Sequence, residues 1–296
     1  MADKASVTSA ILTFNRPQLL IQALEAINQQ DFPVKRIVII DNHSEQKMKG
    51  LTQRFPTVDY QYLDENLGGA GGFAAAIEEA CTHPCDFLWL MDDDGMPGNP
   101  DCLGQLVKIA QQQQADVTAP AVLNIENPAQ LAFPVRTRHT THFHYHQISD
   151  QALIFDFAHL FNGVLISRDL VSRIGLPDKR LFIRGDEVDY LLRAKKHGAK
   201  VVMNTAAKFL HPSSDPEIFP VFWGLFYATY PQQSGKRFYQ FRNRGYIFFT
   251  HKMYHYLIFD LFRYSYFFLI GRKLDFTGLY QWLKLTVTGM CMPQPK

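Results

Sequence analysis

Apolar runs and helically spaced apolar residues alternate along the first two thirds of the chain. Residues 7–14 and 36–40 are short apolar runs typical of strands, and between them the apolar side chains of residues 17–29 recur every three or four positions. The same patterns predict further strands at residues 59–63, 87–91, 116–123, 162–167, 200–204 and 207–210, and helices at 73–81, 99–113, 168–174 and 185–197. Strands and helices that alternate at this spacing predict an α/β fold with a mostly parallel sheet. Residues 124–155 are expected to be irregular.

The most apolar of the predicted strands ends in three consecutive carboxylates. Phe87–Met91 leads directly into Asp92-Asp93-Asp94-Gly95, and a continuous apolar run of this length is typical of a buried central strand. The carboxylates then lie at the carboxyl end of the sheet, where open α/β sheets bind ligands. Adjacent carboxylates repel one another unless a cation compensates their charge, and oxygen ligands suit Mg²⁺ or Mn²⁺. A metal site is the favoured interpretation, and a solvated acidic turn is the alternative.

Polar residues follow other predicted strands as well. Asn15-Arg16-Pro17 follows the first strand, Asp41-Asn42 follows the second, and a glycine-rich run, residues 66–72, follows the third. The helix near Gly185 begins with Asp186-Glu187, where the helix dipole favours ionised carboxylates. Each position alone also supports a structural interpretation, as a helix cap for Asp41 and Asp186 or as a surface charge for Arg16.

The charge of the chain is unevenly distributed. The 296 residues carry a net charge of +2, yet residues 231–296 hold ten Lys and Arg against Asp260 and Asp275, a net charge of +8, which leaves −6 for the preceding residues. The same segment is rich in aromatic residues, which is typical of binding to an anionic membrane surface. A helical cap packed on the sheet is the alternative.

Asp260 and Arg263 interrupt the most apolar stretch, so no transmembrane helix is predicted. No nucleic-acid partner is expected, because the sequence contains no recognised nucleic-acid-binding signature.

Four cysteines do not form a disulfide framework in a chain of this length. No charged and apolar leader opens the sequence, so we expect a cytoplasmic protein with reduced thiols, attached peripherally to the inner face of the cytoplasmic membrane through its basic segment.

His142, His144 and His146 alternate along a candidate edge strand without a carboxylate among them. We interpret them as a polar face near the acceptor, and a metal site as the alternative.

The order of these motifs resembles that of the inverting family-2 glycosyltransferases of GT-A fold. The resemblance covers residues 5–212 and rests on four stretches: Thr13-Phe14-Asn15-Arg16-Pro17, Asp41-Asn42, Asp92-Asp93-Asp94 and Phe182–Tyr190. It implies a GT-A catalytic domain over residues 1–215, followed by a helical, basic and aromatic region over residues 216–296. The glycine run, the triple Asp and Phe182–Tyr190 most resemble the galactofuranosyltransferase branch, which uses UDP-galactofuranose.

The resemblance also implies roles for individual residues. The donor-binding positions that it implies are Phe14, Asn15, Arg16, Asp41, Asn66, Gly68, Gly69, Asp92 and Asp93. Asp92 and Asp94 match the family's metal ligands, and His211 resembles the histidine that completes the coordination of Mn²⁺ or Mg²⁺. Asp186 and Glu187 match the family's acidic pair, in which the second acid is usually the base. Many relatives carry Asp at that second position, so the choice between the two carboxylates stays open.

The expected function is metal-dependent transfer of galactofuranose from UDP-galactofuranose to a glycan or lipid-linked glycan, in synthesis of a cell-surface polysaccharide such as an O-antigen. A carboxylate base without a separate nucleophile implies a single displacement with inversion. A rhamnosyltransferase or another family-2 transferase is the nearest alternative. An NAD(P)-dependent oxidoreductase is another, because Gly69–Ala74 matches the dinucleotide pattern G-x-G-x-x-A. A non-catalytic sugar- or membrane-binding module is a third, and the metal ligands and the acidic pair argue against it.

Overall fold

The computed structural model describes residues 5–137, 140–213 and 217–293. Its strands are β1 Val7–Thr13, β2 Arg36–Asp41, β3 Val58–Tyr62, β4 Phe87–Asp92, β5 Met96–Pro97, β6 Val117–Asn124, β7 Gln130–Arg136, β8 Thr141–His144, β9 Leu153–Phe155, β10 Asn162–Ser167, β11 Val201–His211, β12 Ile218–Val221 and β13 Phe226–Thr229. Its α-helices are α1 Pro17–Asn28, α2 Leu51–Arg54, α3 Gly68–Ala80, α4 Cys102–Gln113, α5 Arg168–Ile174, α6 Asp186–Lys196, α7 Ser234–Thr250, α8 Tyr254–Tyr266 and α9 Phe276–Met290. A π-helical turn, Phe267–Gly271, follows α8.

The described residues form two compact units. The first comprises residues 5–180 and 190–213, and the second comprises residues 181–189 and 217–293. Leu181–Asp189 therefore packs with the C-terminal part of the chain, although the sequence resemblance placed it in the first domain. Asp215, where the predicted boundary falls, lies outside the described residues, and the division into functional domains stays a prediction.

A large sheet organises the first unit, with the strand order β3-β2-β1-β4-β10-β6-β11-β5. β1 pairs in parallel with β2 and with β4, β2 pairs in parallel with β3, and β10 runs antiparallel to β4. The register places Thr13 opposite Asp41, and Leu12 opposite both Ile40 and Asp92. Because these parallel strands end at the same level, the polar segments that follow them meet at one edge of the sheet.

The central strand β4 is buried on both faces. Leu88 and Leu90 belong to the apolar core on one face of the sheet, and Trp89 and Met91 belong to the core on the other, all with no exposed surface. The indole Nε1 of Trp89 donates to the carbonyl of Gly163 at 2.9 Å, which satisfies its buried donor. The predicted buried strand is confirmed, and it delivers Asp92 to the carboxyl edge of the sheet.

The structure differs from the predicted elements in three places. Residues 124–155, expected to be irregular, contain β7, β8 and β9, which are held by pairing with β6, with each other and with β11. The two predicted closing strands are one strand, β11, with a register shift between Asn204 and Lys208. Helix α3 begins at Gly68, five residues before the predicted start. In each case, distant parts of the chain supply the stabilising contacts.

The second unit has an aromatic core. A hairpin of β12 and β13 packs with α7, α8 and α9 around side chains that include Phe241, Tyr264 and Trp282. Helices α7 and α9 approach closely, because a Cβ at Gly245 would lie 2.1 Å from the carbonyl oxygen of Thr286. Glycine is the residue that permits such contact between helix backbones. Within the described residues, we find no helix whose length and apolar character would let it cross a bilayer.

Candidate functional site

Asp93, the middle carboxylate of the acidic run, is built into the loop after β1. Its Oδ2 accepts hydrogen bonds from Thr13 Oγ1 at 2.7 Å and from the backbone N of Phe14 at 3.2 Å, and its Oδ1 accepts from Arg16 Nη1 at 3.1 Å. Burial raises the pKa of Asp93 above its usual range, and the neighbouring Asp94 adds to the shift, while Thr13 and Arg16 oppose it. Asp93 therefore ties the ends of β1 and β4 together.

Asp94 lies beside the end of β11 and carries an oxygen that its neighbours leave unsatisfied. Its Oδ1 is buried without a hydrogen-bond partner and lies 3.1 Å from Nε2 of His211. Its Oδ2 accepts from Arg16. Burial alone would raise the pKa of Asp94, but His211 and Arg16 lower it. The pKa of Asp94 therefore lies below its ordinary value. An orphaned carboxylate oxygen beside an imidazole nitrogen fits a divalent cation.

The predicted ligand set is only partly assembled. In the described ranges, no three His, Cys, Asp or Glu side chains gather into a group that would hold a metal ion. Nε2 of His211 and Oδ1 of Asp94 lie 3.1 Å apart, and the assignment of Asp92 as a further ligand stays a prediction. Gly95 allows the close approach of β11, because a Cβ there would lie 2.4 Å from the ring of Phe209 and 3.3 Å from that of His211.

The loop after β2 is organised around Asp41, which is 1% exposed. Its Oδ1 accepts from the backbone N of Ser44 at 2.8 Å, and its Oδ2 accepts from the hydroxyl of Tyr60. Burial, reinforced by this bond to Asp41, raises the pKa of Tyr60. Ser44 in turn accepts from the backbone N of Asn15 at 2.8 Å through its Oγ. Asp41 thus links the loop after β1, the loop after β2 and strand β3.

The glycine run lies in helix α3, which begins at Gly68, and the donor-binding roles expected of Asn66, Gly68 and Gly69 stay predictions. Asn42 Nδ2 donates to Asn66 Oδ1 and to the carbonyl of Gly68, each at 3.1 Å, and Asn42 Oδ1 accepts from Leu67 N at 2.8 Å. These bonds fix the start of the helix, with Gly68 at φ 67°. A Cβ on Gly72 would lie 2.3 Å from Leu12, so the glycines allow α3 to pack against β1.

A cavity of about 250 Å³ opens between the loops after β1 and β2. Its lining includes the predicted donor-binding residues Asn15, Arg16 and Asp41. It also includes Thr13, Pro17, Ser44, Glu45, Gln46 and Met48. Of the residues that sequence reasoning missed, Ser44 carried a signal, because it stands two residues after Asn42 in the same polar segment behind β2. Tyr60 carried none, since its role depends on the pairing of β3 with β2.

The acidic pair lies in the second unit, at the start of α6. Asp186 is 6% exposed, and Glu187 is partly exposed. The backbone N of Gly185 donates to Glu187 Oε2 at 3.0 Å, and the helix dipole favours the ionised carboxylate that a base requires. One turn further along, Asp189 Oδ1 lies 2.9 Å from Nε2 of His251, which directly follows α7.

Comparisons with known proteins identify the family of the chain. The family described as "Glycosyltransferase like family 2" matches residues 5–224. Galactofuranosyltransferase GlfT1 of Mycolicibacterium smegmatis is 34% identical over 297 residues, which cover 98% of this chain and 98% of that protein. GlfT1 of Mycobacterium tuberculosis (strain CDC 1551 / Oshkosh) is 33% identical over 290 residues, 96% of this chain and 95% of that protein.

Solved structures with a similar fold include two from more distant proteins. The S. aureus TarS 1-349 structure has a TM-score of 0.55 at 13% sequence identity. The similarity covers 70% of this chain and 60% of the TarS chain. The structure of the mannosyltransferase PcManGT from Pyrobaculum calidifontis in complex with GDP-Man and Mn2+ has a TM-score of 0.54 at 14% identity, over 97% of this chain and 74% of that one. At these identities, the similarity concerns the fold.

The predicted α/β fold of GT-A type is confirmed, and the oxidoreductase alternative is wrong. The glycine run that suggested a dinucleotide site begins a helix after the third strand and packs against β1, whereas the dinucleotide fingerprint follows the first strand. The family match spans most of the chain, and full-length relatives carry the same activity class in their names. The chain belongs to glycosyltransferase family 2.

Proposed function

We propose that this enzyme transfers galactofuranose from UDP-galactofuranose to a glycan acceptor. The observation that carries this proposal is its similarity, over 98% of both chains, to a galactofuranosyltransferase. The cavity between the loops after β1 and β2 would receive the uridine, and Asp41 at its wall would accept hydrogen bonds from the uracil ring. Arg16, whose side chain is 47% exposed beside the acidic run, would meet the diphosphate.

The residues at the end of β4 are suited to hold Mn²⁺ or Mg²⁺ with the diphosphate. Asp94 and His211 offer an unsatisfied oxygen and an imidazole nitrogen that lie 3.1 Å apart, and Asp92 would complete the set. When bound, the cation supplies charge stabilisation for the leaving diphosphate. Asp93 keeps the acidic run in place through its bonds to Thr13 and Arg16.

The acidic pair at the start of α6 supplies the base. Glu187 would take the proton from the acceptor hydroxyl as its oxygen attacks the anomeric carbon, and UDP would leave with the electrons of the broken bond. A single displacement of this kind inverts the anomeric carbon. Asp186 would orient the acceptor.

The acceptor is a lipid-linked glycan, and the enzyme reaches it at an anionic membrane surface. The basic charge of residues 231–296, +8 against −6 in the preceding residues, supports this part of the proposal.

Donor choice gives the direct test. The purified enzyme, with Mn²⁺, is expected to release UDP from UDP-galactofuranose much faster than from UDP-galactopyranose, which carries the same atoms in a six-membered ring. Both slow hydrolysis and transfer to a glycan acceptor are measured by released nucleotide. Turnover of dTDP-rhamnose in place of UDP-galactofuranose would establish the rhamnosyltransferase alternative.

A further inference from the structure

The second unit exposes large apolar side chains at two turns and along one helix. Trp223, in the turn between β12 and β13, is 90% exposed. Phe262 on α8 and Leu274, in the turn before α9, are 63% and 62% exposed. We call the following six residues the insertion surface: Trp223, Leu225, Ile258, Phe262, Ile270 and Leu274. Isolated exposed apolar residues are ordinary, whereas a group of large ones marks an interaction site.

Ring contacts place the hairpin turn along helix α8. The ring of Trp223 lies 6.1 Å from that of Tyr266, and the ring of Phe226 lies 4.9 Å from that of Phe259. Phe262 is three residues after Phe259 and four before Tyr266, so it lies on the same side of the helix as both. The turn between β12 and β13 and this face of α8 therefore form one continuous apolar surface.

The backbone holds these turns in conformations that side chains rarely adopt. Trp223 has φ 56°, Lys273 has φ 53° and Leu274 has φ 65°. Residues other than glycine seldom occupy this left-handed region, and such positions cluster where function requires them. Each turn thus holds one large, mostly exposed apolar residue in this region, Trp223 in the first turn and Leu274 in the second.

Residues 218–293, which carry the insertion surface, hold more positive than negative charge. The described residues 218–293 contain two carboxylates, Asp260 and Asp275. Asp260 is 2% exposed and pairs with Arg244 and Arg263. Asp275 accepts a bond from the backbone of α9 and pairs with the neighbouring Arg272.

Exposed lysines remain on this unit: Lys252, Lys273 and Lys284. A second copy of the chain would bring the same positive charge to this surface, and the two would repel each other. An anionic surface that also accepts apolar side chains is complementary to it.

We propose that the insertion surface enters the interface of an anionic membrane, with Trp223 and Leu274 at the acyl boundary and Lys273 at the lipid phosphates. The inference deepens the proposed function, because it specifies the face through which the enzyme meets a lipid-linked acceptor.

Tryptophan fluorescence gives a selective test. Of the three tryptophans, Trp89 and Trp282 are 0% and 2% exposed, so a change of emission on binding reports Trp223. The full-length enzyme with phosphatidylglycerol vesicles is expected to show a blue shift and quenching by brominated lipid. Phosphatidylcholine vesicles are expected to give neither. High salt should weaken co-sedimentation without eliminating it, since apolar insertion is not screened.

Point variants separate insertion from nonspecific attraction. Phe262→Ser and Leu274→Ser are each expected to weaken partitioning by roughly tenfold, and Lys273→Glu by several-fold. The matched controls are Phe155→Ser, 54% exposed on β9, and Lys108→Glu on α4, which should partition as the wild type. Equal losses in the controls, absence of a Trp223 shift, or a change in oligomeric state without vesicle binding would overturn the proposal. The release of UDP is also measured without vesicles, because it tests the proposed donor activity independently of membrane binding.

A second and independent observation concerns Asn243, which is 1% exposed on α7. Its Nδ2 donates to the carbonyl oxygens of Leu181 at 2.8 Å, Ile183 at 3.0 Å and Arg184 at 2.7 Å. Its Oδ1 accepts from Arg242 Nε at 2.9 Å, which fixes the orientation of the amide. One buried side chain thus binds three carbonyls of the segment that leads into the acidic pair.

That segment has an uncommon backbone. Phe182 and Arg184 have φ 62° and 68°, and Gly185 has φ 92°. A Cβ on Gly185 would lie 2.8 Å from the side chain of Ile247, also on α7. A conformation of this kind persists only when its surroundings hold it, and Asn243 supplies the bonds that do so.

We also infer that Asn243 is a positioning residue for the base. By holding residues 181–185, it sets the direction in which α6 begins and therefore the place of Glu187. A displacement of about 1 Å in a reacting group is enough to cost about 10²-fold in rate. This inference rests on the proposed role of the acidic pair.

Two isosteric or conservative changes test it. Asn243→Asp keeps the shape but loses the donors, and we expect kcat to fall roughly 100-fold with the Kd for UDP unchanged. Asn243→Gln keeps the donors one methylene further out and should recover part of kcat. Phe241→Leu, two residues away in the aromatic core, is the matched control and should lower Tm but not kcat.

The outcomes are distinguishable from failure of the base assignment. If Glu187→Gln loses kcat while both Asn243 variants keep it, the positioning role is wrong. The same holds if the Asn243 variants lose kcat and UDP affinity together. If Glu187→Gln keeps its kcat, the base assignment itself fails.

Discussion

Glu187→Gln is expected to lower kcat by about 10³-fold while the Kd for UDP stays unchanged. The amide keeps the size of the side chain but cannot take the proton of the acceptor hydroxyl, and general-base catalysis contributes about 10²- to 10⁴-fold. The cavity assigned to the nucleotide is lined by residues of the loops after β1 and β2, so donor binding should not depend on Glu187. Steady-state kinetics with UDP-galactofuranose, together with UDP titration calorimetry, measures the two quantities.

Asp186→Asn is the matched control for this variant. Asp186 stands next to Glu187 at the start of the same helix, and its loss should raise the KM for the acceptor more than it lowers kcat. If Asp186→Asn loses kcat and Glu187→Gln does not, the roles of the two carboxylates are exchanged.

Asp94→Ala is expected to reduce kcat by roughly 10³-fold and to weaken Mn²⁺ binding, with little change in Tm. Its Oδ1 has no hydrogen-bond partner, and its Oδ2 accepts from Arg16, whose side chain is 47% exposed. The substitution therefore removes one partly exposed ion pair, which contributes about 0–1 kcal/mol. We expect the contribution of Asp94 to lie instead in the charge stabilisation that a bound cation would supply. Mn²⁺ affinity in the presence of UDP, measured by electron paramagnetic resonance, is a readout independent of turnover.

Asp93→Asn offers the contrasting variant. Asp93 accepts bonds from Thr13, the backbone N of Phe14 and Arg16, so its substitution should lower Tm by several degrees.

Full turnover of the wild-type enzyme in excess EDTA would contradict the metal assignment.

The parts of the fold that could be predicted from sequence are those with local causes. The apolar run of Phe87–Met91 and the acids behind it follow from burial and from strand ends, and the structure places them where expected. Helix α3 was misjudged because Asn42, some 26 residues earlier, binds the carbonyl of Gly68 and fixes the helix start. The spacing of apolar residues along the chain does not predict a bond from a side chain that lies so far away in sequence.

The candidate site shows the same limit. Arg16 and Asp41 were identified from their positions after strands, but their partners Asp93, Ser44 and Tyr60 depend on strand order and register. Asn243 lies about 60 residues beyond the segment that it holds, within a helix whose pattern is ordinary. A single polar residue in the sequence of such a helix does not indicate which distant group its side chain will bind.

The discontinuous second unit has a consequence for folding on the ribosome. When residues 181–189 leave the exit tunnel, the side chain that binds the carbonyls of Leu181 and Arg184 in the folded protein is still missing, since Asn243 has not yet been made. At about 5–20 residues per second, the delay is several seconds. Helix α7 then depends on α9 for its packing, because Gly289 brings the two backbones together near the end of the chain. The segment that carries the acidic pair is therefore completed only after α9 has been made, so we expect the sheet of the first unit to fold before the acidic pair is in place.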